Sequence, residues 1–284
     1  MVKLKSSIGT VKGRVGNMRF YERNGEIIGV SLPNGIHNPK SPAQMQQRIK
    51  MNNILNMYKY IKGYLQQNFE GIIGNKNASS FFRNYNLMKT PVWLTKEHKE
   101  ACKFVLAPYV VAQGRINSVG YEFKDDVFVS DINVGDLEIN DETEESILSS
   151  IICDSNEGWA NNDTLQIILL KQKRIRTSDE EIELPKCNSY VVTLDKASRT
   201  KIGEIPVFES LSNMSRFSLC SVDGKLAVRV EDSEEYTYAF AAVHGRGQGR
   251  DKIVSTQQLC LSDSALYDSY CSKEAFDKAY ESYK

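Results

Sequence analysis

The chain has no long apolar run, no paired cysteines and very little histidine, and each shortage narrows what it can be. No stretch approaches the 18 or more apolar residues that span a bilayer, so no membrane role is expected. The opening MVKLKSSIG is basic but lacks an apolar segment behind it, which does not fit a secretory signal and points to synthesis in cytoplasm. Six cysteines (102, 153, 187, 220, 260 and 271) are scattered without a CxxC pair. They are expected to be reduced, mostly buried thiols. Of three histidines, His98 stands four residues before Cys102 on an expected helix, but two ligands are too few for structural zinc. No glycine loop ends in Lys-Ser/Thr, no segment has the sharp strand-to-helix turn of a nucleophile, and no carboxylate pair is flanked by aromatics. No catalytic residue, metal ligand or cofactor is therefore assigned.

Acidic residues are also scarce, but only at one end. Residues 1–104 hold 17 Lys/Arg against 5 Asp/Glu, a net of +12, whereas residues 105–284 hold 19 against 31, a net of −12, so the formal total is zero. This polarity suits an anionic partner at the basic end, or head-to-tail association of copies. A length of 284 residues, 41% of them hydrophobic and 25% charged, belongs to a folded chain of one large or two modest domains.

The most patterned stretch is residues 8–50, IGTVKGRVGNMRFYERNGEIIGVSLPNGIHNPKSPAQMQQRIK. Met18 and Phe20, then Ile28, Val30 and Leu32, alternate with polar neighbours as half-buried strands do. Asn24-Gly25 between them is a two-residue hairpin signal, which predicts a hairpin over about 17–32, with Gly13 and Gly16 marking an earlier turn or bulge. Ser41, Pro42 and Gln44 fit the N-cap, first position and capping box of a helix running to about 68. Met51, Ile54, Leu55, Tyr58, Ile61 and Leu65 form its apolar stripe, widened by Tyr60 and Tyr64. A shorter helix follows with Phe81, Phe82, Tyr85 and Met88 inward, and Thr95 caps another running through Lys103. From Pro108 the pattern turns to strands at 108–113, 119–123, 164–171, 189–194, 216–221, 225–230, 236–243 and 253–261, with Asp223-Gly224 as a second hairpin turn and an acidic loop over 131–146. Residues 263–284 read as one amphipathic helix. The expected fold is α+β: a basic hairpin-plus-helix module over 1–104, an antiparallel β-sandwich region over 105–262 forming one or two small sandwiches, and a C-terminal helix over 263–284.

The order G-x-x-x-G-x-x-G-N-x-x-x-Y, then S-L-P, then N-P-x-S-x-x-Q-x-x-x-R is carried by Gly9, Gly13, Gly16, Asn17, Tyr21, Ser31, Leu32, Pro33, Asn38, Pro39, Ser41, Gln44 and Arg48. It resembles a Bacteroidetes family of unknown function found in gut Bacteroidales genomes and in their phages, including crAss-like phages. Tyr85-Asn86-Leu87 is similar to a second, shorter element of that family. The resemblance implies a basic N-terminal module joined to Ig-like β-structure, a layout suited to a virion structural protein such as a head fibre, a capsid decoration or a portal-proximal ring component. Gly35-Ile36-His37 departs from the basic residues often found there, which weakens any phosphate-contact role.

Several segments carry competing readings. Asp131, Asn133, Asp136, Glu138 and Asp141 are dense enough for calcium but lack EF-hand spacing, and read as a solvated loop. Gly245-Arg246-Gly247-Gln248-Gly249-Arg250 resembles an RG-type nucleic-acid segment, yet its place between strands favours a flexible hairpin loop. Arg14, Arg19, Arg23, Lys40, Arg48, Lys50, Lys59 and Lys62, interleaved with Tyr21, Tyr58 and Tyr60, suit a phosphate backbone. Docking on an acidic protein shell explains the same residues and also the glycine-bearing hairpin and capped helix. The leading expectation is a non-enzymatic virion protein, self-associating and bound to capsid or portal subunits through Gly13, Gly16, Asn17, Arg19, Tyr21, Asn38, Pro39, Gln44, Arg48, Lys50, Lys59 and Lys62. A cytoplasmic nucleic-acid-binding protein and a glycan-binding adhesion module are the alternatives.

Overall fold

A computed structural model describes residues 2–4, 13–23, 26–32, 41–71, 78–139, 141–153, 158–175, 181–202, 208–209 and 218–284. The turn expected at Asn24-Gly25 and the site residues Asn38 and Pro39 lie outside them. The fold is α+β, with antiparallel sheets and C-terminal helices. The chain divides into two compact units, Met1–Gln44 and Met45–Lys284. The division falls well before the change of charge near residue 104, because the helices after residue 45 share one core with later strands.

The first unit contains a four-stranded antiparallel sheet of β1 (Val2–Leu4), β2 (Gly13–Val15), β3 (Met18–Arg23) and β4 (Glu26–Ser31), in the order β1-β4-β3-β2. Val15 pairs with Met18, leaving Gly16-Asn17 as a two-residue loop in which Gly16 takes φ +56°. Glycine adopts that angle without the steric penalty a β-carbon brings.

Helix α1 (Pro42–Ile61) begins as its sequence predicts, with Ser41 Oγ accepting from Gln44 N at 3.4 Å. It ends at Ile61, ahead of Gly63, and short of 68. Ile54, Tyr58, Ile61 and Leu65 are buried as expected, but Leu55 is 36% exposed, and Asn52, Asn53 and Asn56 are buried as well. The partner of Asn53 and Asn56 is the neighbouring segment 103–109, which has no regular secondary structure, is almost wholly buried and is paired with no strand over 103–107. Buried backbone groups need partners, and side-chain amides supply them. Asn53 Nδ2 donates to Val105 O (3.0 Å) and Tyr109 Oη (3.0 Å) while its Oδ1 accepts from Val105 N (2.8 Å). Asn56 Nδ2 donates to Lys103 O at 2.9 Å. After α2 (Ala78–Leu87) and α3 (Lys96–Glu100) comes β5 (Val110–Ala112), where Asn86 repeats the device by accepting from Val110 N and donating to Val110 O, at 2.7 and 3.0 Å. In α2 only Phe82 of the four expected inward residues is fully buried; Tyr85 and Met88 are exposed, Met88 by 88%.

The strands form two main sheets. β6 (Tyr121–Lys124) and β7 (Val127–Asn133) precede α4 (Glu144–Cys153), and β8 (Asp163–Lys173), β9 (Lys186–Leu194) and β10 (Phe208–Glu209) follow. Next come β11 (Ser218–Val222), β12 (Lys225–Arg229), β13 (Tyr236–Arg246), β14 (Ile253–Val254), β15 (Gln257–Gln258) and β16 (Cys260–Leu261). One sheet runs β10-β9-β8-β13-β14, with β16 also on β13; another runs β11-β12-β7-β6; β15 pairs with β5. The turn between β11 and β12 is the predicted Asp223-Gly224, with φ +51° and +74°.

β8 and β13 bury both faces. Ile168, Leu170, Ala239 and Ala241 join the helical core with Ile54, Met57 and Phe82. Leu165, Ile167, Leu169, Tyr238 and Phe240 face Phe128, Leu226 and Val228 of the four-stranded sheet. Phe128 and Phe240 stack at 5.1 Å across that second core. This unit is therefore layered as helices, six-stranded sheet and four-stranded sheet.

Two corrections concern elements. The segment expected as an acidic loop over 131–146 contains the end of β7, where Ile132 is buried and outward-facing Asp131 accepts from Gly120 N at 2.8 Å, and the first turn of α4. Ile147, Leu148 and Ile151 anchor that helix in the second core. The C-terminal segment is two helices, α5 (Ala265–Cys271) and α6 (Lys273–Ser282), because Ser272 turns extended (ψ 163°) and caps α6 by accepting from Ala275 N at 3.1 Å.

Candidate functional site

Cross-strand pairing assigns the expected docking residues of the first unit to faces. Gly13, Val15, Met18, Phe20, Ile27 and Gly29 share one face, since directly paired residues point the same way. Arg14, Arg19, Tyr21, Ile28 and Val30 share the other. The first face also carries Glu22 opposite Ile27 and Ser31 opposite Met18, so its open apolar part is the end at Val15, 66% exposed, and Met18, 36% exposed. Phe20 and Met18 lie across Gly29, where a β-carbon would come within 2.9 Å of the phenyl ring. The second face places two guanidinium groups beside a tyrosine, with Arg14 Nε held by Gly16 O at 3.1 Å. Gly16 and Asn17 make the loop, and Asn17 O accepts from Leu32 N at 2.6 Å. Among the described residues of this sheet, only Ile27, Ile28 and Gly29 are buried.

On α1 the structure brings some expected residues together and separates others. Arg48, Leu55 and Lys59, spaced by seven and four, fall on one side of a 3.6-residue helix and are exposed; Lys62 follows just beyond its end. Lys50 projects from the opposite side and is half-buried.

The glycine-arginine segment is not a free loop. Gly245 and Arg246 belong to β13, and Arg246 grips Asp163 with Nε on Oδ1 and Nη2 on Oδ2, both at 2.7 Å. The same carboxylate meets His244 Nε2 at 2.8 Å and accepts from Ala160 N at 2.9 Å. Trp159 stacks on the imidazole at 3.7 Å. Asp163 and His244 are buried, and burial alone pushes the carboxyl pKa up; the hydrogen bonds from Arg246, His244 and Ala160 outweigh it and hold the group below the usual carboxylate range. With four donors on one carboxylate, this cluster is a structural clamp joining β8 to β13.

His98 and Cys102 do not share a helix face, because α3 ends at Glu100 and Cys102 sits exposed at φ +55°. His98 instead borders a cleft of about 530 Å³ beside α5 and α6, near the Arg174–Asp263 pair at 3.2 Å. Burial, assisted by Lys103, lowers the His98 pKa. Among the described residues no three His, Cys, Asp or Glu side chains group to hold a metal. Of the five cysteines free in the described residues, only Cys187 is fully buried, fewer than expected.

A larger cleft of about 700 Å³ lies where α1 gives way to residues 62–68, against the start of β8 and the end of β13. Lys62, Gln166, Ser189 and Lys252 are among its lining residues. Sequence reasoning singled out Lys62 but not the others, which are far apart along the chain. No protein-family model, curated protein or solved structure matches the chain.

Proposed function

We propose that the chain is a non-enzymatic structural subunit of a phage virion, attached through its N-terminal unit to capsid or portal subunits and associating with copies of itself. In this reading it is a head fibre, a capsid decoration or a portal-proximal ring component. The observation that carries the proposal is the Met1–Gln44 sheet, which buries so little of its described surface while presenting an apolar face at Val15, Met18 and Phe20. Units this small usually need help from a disulfide, a metal or another surface to be stable. The Arg14–Arg19–Tyr21 face adds charge complementarity to an acidic shell, which favours encounter and orientation. The saturated Asp163 cluster supports a structural rather than a catalytic use of this buried carboxylate.

Sedimentation of the full chain, with and without capsid and portal subunits from a phage encoding this motif, tests the reading. Association is expected, and V15D/M18D should abolish it while leaving circular dichroism unchanged. A chain that stays monomeric at high concentration and binds none of those subunits overturns the proposal. A mobility shift that weakens steeply with salt and is lost in R14Q/R19Q/R48Q/K59Q would put nucleic acid in place of the protein shell.

A further inference from the structure

The early end of α1 has a chemical consequence on the sheet beneath it. The helix-facing side of β8 reads Thr164, Gln166, Ile168 and Leu170; the two aliphatic residues are buried in the helical core, while Thr164 and Gln166 line the cleft. Gln166 fixes the floor, its Nε2 donating to Tyr64 O at 2.9 Å and to Ser189 Oγ at 3.1 Å. Thr164 Oγ1 donates to Gly245 O at 3.2 Å. Lys252 lies across Gly245: a β-carbon there would stand 3.0 Å from its Cε and 2.7 Å from Thr164 Oγ1. Glycine at 245 is therefore what lets the lysine side chain cross the strand.

We propose that this cleft binds a small, hydroxyl-rich molecule bearing a carboxylate or phosphate, with the ammonium groups of Lys252 and Lys62 on the oxyanion. The described residues that line it include both lysines and no Asp or Glu. Lys252 is partly buried, and among the described residues it meets no carboxylate within ion-pair distance. Taking an ammonium out of water without a counter-charge is unfavourable, and an incoming oxyanion relieves that cost. Burial lowers the Lys252 pKa, consistent with an uncompensated amine. The rest of the lining suits a polyhydroxylated body, with amides at Gln66, Gln67 and Asn68 and tyrosine rings at 60 and 64. Asn68 is 2% exposed and its Nδ2 is buried with no acceptor, so a side-chain rotation toward a bound hydroxyl would satisfy it. The volume fits the range of small-molecule sites, about 300–1,000 Å³. This inference stands apart from the docking reading, because the cleft belongs wholly to residues 45–284.

Calorimetric titration of the full chain with three probes tests it: a glucuronic-acid disaccharide, a nucleoside monophosphate and neutral cellobiose. At least one anionic probe is expected to bind and cellobiose to bind at least tenfold more weakly. The anionic arm that binds identifies carboxylate or phosphate as the group recognised. K252M, which keeps the aliphatic stem, should weaken binding at least tenfold, K252R should restore part of it, and G245A should weaken it by displacing the lysine. K225Q, on the four-stranded sheet, should bind as the wild type does. The proposal fails if neither anion binds, if cellobiose binds equally well, or if K252M binds like wild type with an unchanged melting temperature. Protection of Lys252 from reductive methylation by the binding anion gives a second readout, and unprotected Lys252 under saturating anion counts against the site.

Discussion

Asp163 shows how much one residue can hold. Its carboxylate ties β8 to β13 through Arg246 and His244 and fixes the preceding turn through Ala160 N. D163N leaves a guanidinium with half its partner; because the Arg246 side chain is 41% exposed, the loss is below that of a fully buried pair, about 1.5–3 kcal/mol as for a hydrogen bond to a charged group. Urea unfolding should show that loss near neutral pH. Because the folded-state pKa is depressed, the clamp's contribution is complete above the unfolded aspartate value of about 3.9 and disappears as pH falls through the lower folded value. The stability difference between wild type and D163N should therefore hold above about pH 4 and shrink as the pH falls below it. Asn53 is the second case. N53A removes the partner of both Val105 backbone groups in a buried setting, and about 1–3 kcal/mol for each unsatisfied group is expected in denaturant unfolding. Neither residue announces itself in the sequence: an asparagine in an amphipathic helix looks like solvent-facing filler, and an aspartate in an Asn-Asn-Asp run looks like a turn.

Elements set by local rules were legible. The Asp223-Gly224 hairpin, the Ser41-Pro42 start of α1 and the Thr95 cap depend on residues within four positions of one another. What was missed depends on distant partners. β7 runs Val-Phe-Val-Ser-Asp-Ile-Asn, and its outward Asp131 belongs with Gly120 on the adjoining strand's approach, so the acid count suggested a loop. The break between α5 and α6 hinges on one serine; S272A should cost about 1 kcal/mol as a lost N-cap, read as a lower melting temperature. Of the candidate sites, the basic sheet face was visible as alternation, but the cleft was not, since Tyr60–Asn68, β8, β9 and β13 meet only in three dimensions.

At the scale of the molecule, two units with separate contacts imply separable stability. Removing residues 1–40 keeps the Ser41 cap, and the remaining chain should melt cooperatively within a few degrees of the full protein by calorimetry. Loss of a folded body after this truncation would mean that the first sheet is integral to it.

The sheet topology also sets a timetable. Every described pair in the first sheet lies within residues 2–31, whereas β8 waits for β13, with Thr164 opposite Gly245. Local pairing is fast and distant pairing slow. A ribosome that has just released residue 44 has many codons to read before the central sheet can close. Under the docking reading proposed above, the surface that would attach is complete while the rest of the chain is still being translated.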